Sequence, residues 1–255
     1  MRSLQYVVTG TGRSGTVYLA NLLTAASIPC GHESIFTPWG LDEARARLDG
    51  RSPVHLSAIS VASCGDWMPR AADLVADSSY MAAPYLDEDL LRGTRIIHAV
   101  RDPMQVINSF VVGLGYFLEP HPTDVWHEFI FRHLPELSQH WHPLERAALF
   151  YSRWNRMIEK RARGKDYFFL RLEDGPARLL RRLRARCADP RLLEARAVNT
   201  RMAGKHRYGF GDIPPGIARD ELASVAEDYG YDIGQPRRSW LWQKAKRARR
   251  LLAGA

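Results

Sequence analysis

The run Gly10-Thr-Gly-Arg-Ser-Gly-Thr16 has the residue types of a phosphate cradle. Glycines let the chain turn tightly and bring backbone N–H groups against an anion, and a helix starting directly afterwards adds partial positive charge. Arg13 would crowd several N–H donors in that turn unless an anion joined them. Two nucleotide-binding patterns fit the letters in part. Gly10, Gly12 and Gly15 match GxGxxG, with Glu33 about where an acid would hold a ribose, but Ser27–Gly31 is a poor second strand because Pro29 interrupts it. A nucleoside-triphosphatase loop would continue with lysine and then Ser or Thr, and Thr16 and Val17 stand there instead. No lysine is left for terminal phosphates and no hydroxyl for magnesium.

A second basic cluster lies in His98-Ala-Val-Arg-Asp-Pro-Met-Gln-Val-Ile-Asn-Ser-Phe110. Arg101, at a strand end, offers a charged fork to a phosphate dianion, and Ser109, eight positions on, adds a hydroxyl donor. Asp102 can cap the intervening helix, and Pro103 suits its first turn. Gly12-Arg-Ser-Gly-Thr16 resembles the 5′-phosphosulfate loop of the sulfotransferase family, whose donor is 3′-phosphoadenosine 5′-phosphosulfate (PAPS). Arg101 and Ser109 resemble that family's 3′-phosphate motif. The resemblance implies donor contacts from Gly12, Arg13, Ser14, Gly15, Thr16, Val17, Arg101 and Ser109, and no metal. Arg171-Leu-Glu-Asp174 is similar to the family's Tyr-Glu-Asp segment, with Leu172 where a tyrosine often touches the adenine. Gly204–Asp212 is similar to the loop that closes over the 3′ phosphate, with Arg207 the match and Lys205 a helper. The likeness runs from residue 5 to about 232.

Sulfuryl transfer needs an in-line acceptor oxygen, removal of its proton, and stabilisation of charge on the departing phosphate. Positioning and preorganised electrostatics supply most of the acceleration. Arg13 and the loop N–H groups are placed to hold the leaving oxygen, and Cys30-Gly-His-Glu-Ser34 supplies two candidate bases, His32 and Glu33. Cytosolic members of the family use a histidine much later in the chain. Tyrosyl-protein and some bacterial members use a glutamate about twenty positions after the loop's basic residue, the spacing from Arg13 to Glu33. A carboxylate in that role needs a raised pKa or a tightly held acceptor, whereas His32 has a suitable unperturbed pKa and is the alternative. Related enzymes often carry a lysine near the segment Asp77-Ser-Ser-Tyr80, but no lysine precedes Lys160. Lys205, an arginine, or the hydroxyls of Ser78 and Ser79 would have to take that part.

The elements that must position these residues alternate. Strands are predicted at Leu4–Thr9, Val54–Val61, Asp73–Asp77, Arg95–Val100 and Asp166–Leu172. Helices are predicted at Thr16–Ala26, Pro103–Val112, Asp124–Leu134, Pro143–Arg163, Pro176–Cys187 and Ala218–Tyr229. Alternation of this kind predicts an α/β, three-layer, P-loop-like fold with a central parallel sheet flanked by helices. Ligands on such sheets bind beyond the carboxyl ends of the strands, where both basic clusters fall.

Composition narrows the class. A chain of 255 residues with 45% hydrophobic content fits one core, taken as residues 1–235. Residues 236–255 form a basic tail: seven positive charges and no acid after Gln235 leave only +1 of the net +8 for the rest. A basic surface for nucleic acid is therefore not expected, though the tail, with Trp240 and Trp242, could lie on an anionic membrane. Three scattered cysteines, a first apolar run too short for a signal peptide and no run of about 20 apolar residues point to a cytoplasmic protein. Aromatics and histidines crowd Gly113–Pro143, from Tyr116 and Phe117 to Trp141. They could shape a pocket for a small-molecule, glycan or lipid acceptor, or simply pack a core. His140 and His142 lack companions for a metal site. The alternatives to a sulfotransferase are a nucleotide or nucleoside kinase with a degenerate loop, and a nucleotide-binding module without catalysis.

Overall fold

The computed structural model describes residues 3–54, 73–186 and 207–233. Five strands build one sheet: β1 (Tyr6–Gly10), β2 (Cys30–His32), β3 (Ala76–Ser78), β4 (Arg95–Val100) and β5 (Tyr167–Arg171). Their order is β2-β3-β1-β4-β5, and every neighbouring pair is parallel. The period-two alternation of a strand sends side chains to opposite faces. Val7, Ile96, Val100, Tyr167 and Phe169 pack into one apolar cluster, and Val8, Ile97, Ala99, Phe168 and Leu170 into the other.

Helices cover both faces, as the alternation predicts. α1 (Thr16–Ala25) and α6 (Pro176–Leu183) bury Leu19, Leu22, Leu23, Leu179 and Leu180 on the second cluster. α3 (Pro103–Asn108), α4 (Val125–His133), α5 (Pro143–Arg161) and α7 (Ile217–Asp228) pack on the first, where Phe150 and Trp154 of α5 are fully buried. A short α2 (Leu41–Leu48) and a 3-10 segment at Tyr80–Tyr85 complete that layer, and the sequence reading gave neither.

Three elements differ from expectation. Cys30–His32 is a strand after all, at the sheet edge. Pro29 sits just before it, where the missing N–H is not needed, and its carbonyl accepts from Val75 and Ala76. The helix expected at Pro103–Val112 is α only to Asn108, and Ser109–Leu114 widens into a π-helix that Gly115 ends. The helix expected to reach Cys187 stops at Leu183 because Arg184 turns left-handed, at φ 53°. Of the strand expected at Val54–Val61, only Val54 is described, and it lies outside any strand.

Candidate functional site

Two chain segments leave the adjacent carboxyl ends of β1 and β4 and meet. The first, Thr11–Gly15, turns from β1 into α1, with Ser14 N–H donating to the Thr11 carbonyl at 3.2 Å. Gly15 has φ 95°, and a Cβ on it would lie 2.8 Å from Leu172, which covers the loop from the end of β5. Arg13 also takes left-handed backbone, φ 69°, which costs a non-glycine residue about 1–2 kcal/mol. The buried Ser14 hydroxyl has no hydrogen-bond partner among the described residues.

The second segment begins at Arg101. Its guanidinium donates through Nη1 to the Arg13 carbonyl at 3.2 Å and through Nη2 to Gln105 Oε1 at 2.7 Å, both neutral oxygens. Asp102 caps α3 by accepting from Gln105 N–H at 2.9 Å, as its type and place imply. The π-helix then opens at Ser109, whose Oγ accepts from Arg13 Nε at 2.7 Å. So Arg13, Arg101 and Ser109, far apart in sequence, are brought together. Arg101 is backed by α5: Tyr151 Oη donates to its carbonyl at 2.8 Å. On the same helix Asn155 joins His98 of β4 at 2.7 Å.

Asn108, which the sequence reading did not single out, docks a third segment. Its Nδ2 donates to the Tyr208 carbonyl at 2.8 Å, and its Oδ1 accepts from Tyr208 N–H at 2.7 Å. This pins Tyr208, the neighbour of exposed Arg207, to the residue before Ser109. Lys205 lies outside the described residues.

His32 and Glu33 stand at the other side of the loop. Buried His32 shares a hydrogen bond with Thr16 Oγ1 through Nε2, at 3.1 Å, and the same Nε2 is 3.9 Å from Glu33 Oε1. Burial lowers the His32 pKa to about 4, so the ring is neutral at pH 7 and the contact with Glu33 is not an ion pair. Burial, with the charge of Asp77 added, raises Glu33 to about 8. The hydroxyls of Tyr80 and Tyr116 lie near enough to Glu33 for its charge to raise their pKa values further. Val17, the last loop residue named from sequence, is half-buried on the first turn of α1.

The hydroxyls offered for the absent lysine are engaged elsewhere. Ser78 Oγ donates to the Thr16 carbonyl at 2.8 Å and Ser79 Oγ to the Phe36 carbonyl at 2.9 Å, so the one proton of each is already committed to a backbone oxygen. Half of the aromatic residues between Gly113 and Pro143 are core: Phe117, Phe129 and Phe131 are buried. Fully buried Arg146 fixes that region by donating to the carbonyls of Phe117, Leu118, His140 and Trp141. Tyr116 stacks on His127 at 4.6 Å, and Trp126 and Trp141 are exposed. His142 caps α5 through Nδ1 rather than facing His140. Among the described residues no three His, Cys, Asp or Glu side chains gather as a metal site, and no helix is long and apolar enough to cross a membrane.

No family model matches the chain, and no curated protein does. Among solved structures it is similar to a sulfotransferase domain from the curacin biosynthetic pathway, with 17% identity and a TM-score of 0.49. The match covers 91% of this chain and 100% of that one. At that identity the likeness says nothing of substrate.

Proposed function

We propose that the chain moves a sulfuryl group from PAPS to an acceptor hydroxyl or amine, leaving adenosine 3′,5′-bisphosphate. The observation that carries this reading is the meeting of Arg13, Arg101 and Ser109 at the carboxyl ends of β1 and β4. The donor set fits a doubly phosphorylated nucleotide. It combines two guanidinium groups, a hydroxyl, loop N–H groups at a helix start, and a buried Ser14 hydroxyl without a partner among the described residues.

In this reading Gly12 to Val17 hold the 5′ end, Arg101 and Ser109 the 3′ phosphate, and Arg207 the outer side of that phosphate. The donor supplies an activated sulfur–oxygen bond. Arg13 and the loop N–H groups stabilise charge on the departing phosphate oxygen without a metal. As the acceptor oxygen bonds to sulfur in place of that phosphate oxygen, Glu33 takes its proton. Glu33 suits the task better than His32: a group with pKa about 8 holds a proton far more firmly than one at about 4.

Incubation with ³⁵S-labelled PAPS and a panel of sugar, phenol, lipid and peptide acceptors tests the reading. Transfer to at least one class, lost in Glu33→Gln by about 10²- to 10⁴-fold with bisphosphate binding retained, is expected. Transfer that survives Glu33→Gln and disappears in His32→Ala would make histidine the base.

A further inference from the structure

Glu33 follows β2 in left-handed backbone, at φ 53°. The next three residues turn their N–H groups onto one side chain. Ser34 donates to Asp77 Oδ1 at 3.0 Å, and Ile35 and Phe36 donate to Oδ2 at 3.2 and 3.1 Å. Asp77 is fully buried on β3, paired in register with Gly31. The carbonyls of the turn are held as well. Arg47 Nη1 donates to that of Ser34 at 2.8 Å and Ser79 Oγ to that of Phe36 at 2.9 Å, while Glu33 N–H reaches the Ser78 carbonyl at 3.1 Å. Ile35 and Phe36 anchor the turn in the core.

A carboxylate takes the three donors on its two oxygens, whereas an amide presents a single oxygen. Burying that charge is costly, and the N–H groups repay part of the cost. What remains is a negative charge behind Glu33. We propose that Asp77 is the positioning residue of Glu33, fixing the turn that holds the Glu33 carboxyl beside His32 and Thr16 and setting a second carboxyl behind it. The inference deepens the function proposed above and rests on Glu33 acting as the base there.

The groups facing the pair are few. Glu33 meets His32 from β2, Asp77 from β3, Tyr80 from the 3-10 segment and Tyr116 from the end of the π-helix. Asp77 meets Arg47 from α2, itself paired with Glu43 at 2.8 Å. Burial raises the Asp77 pKa to about 6, against the three N–H groups and then Arg47, which favour the charged form. With His32 neutral, the Asp77 charge is what opposes ionisation of Glu33 beyond burial itself. The two carboxyls then release protons in linked steps, Asp77 first.

Carboxyl ¹³C NMR titration of the full chain tests this, with the Glu33 signal assigned by its loss in Glu33→Gln. In the unaltered protein the Glu33 curve should show two inflections, one at the Asp77 midpoint. In Asp77→Asn its midpoint should fall by at least about one pH unit, and the rise of sulfation rate with pH should shift by the same amount. A Glu33 curve with one inflection, or a midpoint unmoved in folded Asp77→Asn, overturns the proposal. Where Asp77→Asn fails to fold, the unaltered protein's curve alone decides. Linked titration without sulfuryl transfer to any acceptor supports the positioning role and overturns the functional reading instead.

Discussion

Arg101 makes its hydrogen bonds to two neutral oxygens, the Arg13 carbonyl and Gln105 Oε1. A guanidinium held only by neutral acceptors keeps its charge for an anion, and a 3′ phosphate would supply one. Arg101→Ala should therefore reduce the preference for adenosine 3′,5′-bisphosphate over AMP by about 10- to 100-fold, read by calorimetry. An unchanged ratio would remove Arg101 from the site. Glu33 gives a second expectation at this scale. With its pKa at about 8, the base form grows as pH rises, so the sulfation rate should climb through pH 7 and level off above about 8. Arg13, Arg101, Ser109 and Glu33 were named from sequence through motifs that resemble those of sulfotransferases, and the structure brings the first three together. Asp77 and Asn108 were not named as site residues. Their importance comes from partners more than 40 positions away, which only the strand register of Gly31 with Asp77 and the docking of Tyr208 reveal.

At the scale of elements, β1, β4 and β5 were readable because continuous apolar runs mark strands buried on both faces. β2 was not, since three residues behind a proline carry almost no periodic signal and the pairing with β3 decides the matter. That edge is tightly fitted. A Cβ on Gly31 would come 2.6 Å from Ser34 and 2.9 Å from Asp77 Oδ1, so Gly31→Ala should destabilise the fold and disturb the Glu33 turn together. A lowered denaturation midpoint together with a slower sulfation rate is the expected result. The π-helix was equally invisible, because its composition is that of an ordinary helix. It begins at Ser109, directly after the residue that clamps Tyr208. Asn108→Ala frees both backbone groups of Tyr208 and should cost about 1–3 kcal/mol in stability by denaturant titration. Its effect on bisphosphate affinity should be smaller than that of Arg101→Ala.

Across the whole molecule, folding moves protons in opposing directions. His32, His98, His127 and His133 all have pKa values lowered to about 4 by burial. Unfolded histidine titrates near 6.5, so the unfolded chain takes up more protons between those values, and stability falls as pH drops through that window. Glu33 and Asp77, raised to about 8 and about 6, act the other way, losing stability as pH rises toward those values. Four histidines outweigh two carboxyls on the acid side, and Glu33 alone acts above neutrality. The denaturation midpoint should therefore drop sharply from about pH 6.5 to 4 and only gently from 7 to 9. A flat acid side would refute the assignment of neutral buried histidines. The proposed function needs two anion sites, at the carboxyl ends of β1 and β4. Its most direct test is thermal denaturation in the absence of magnesium with adenosine 3′,5′-bisphosphate, AMP, NAD and ATP, and again with magnesium and ATP. The largest rise in Tm is expected with the bisphosphate. A larger rise with magnesium and ATP would contradict it.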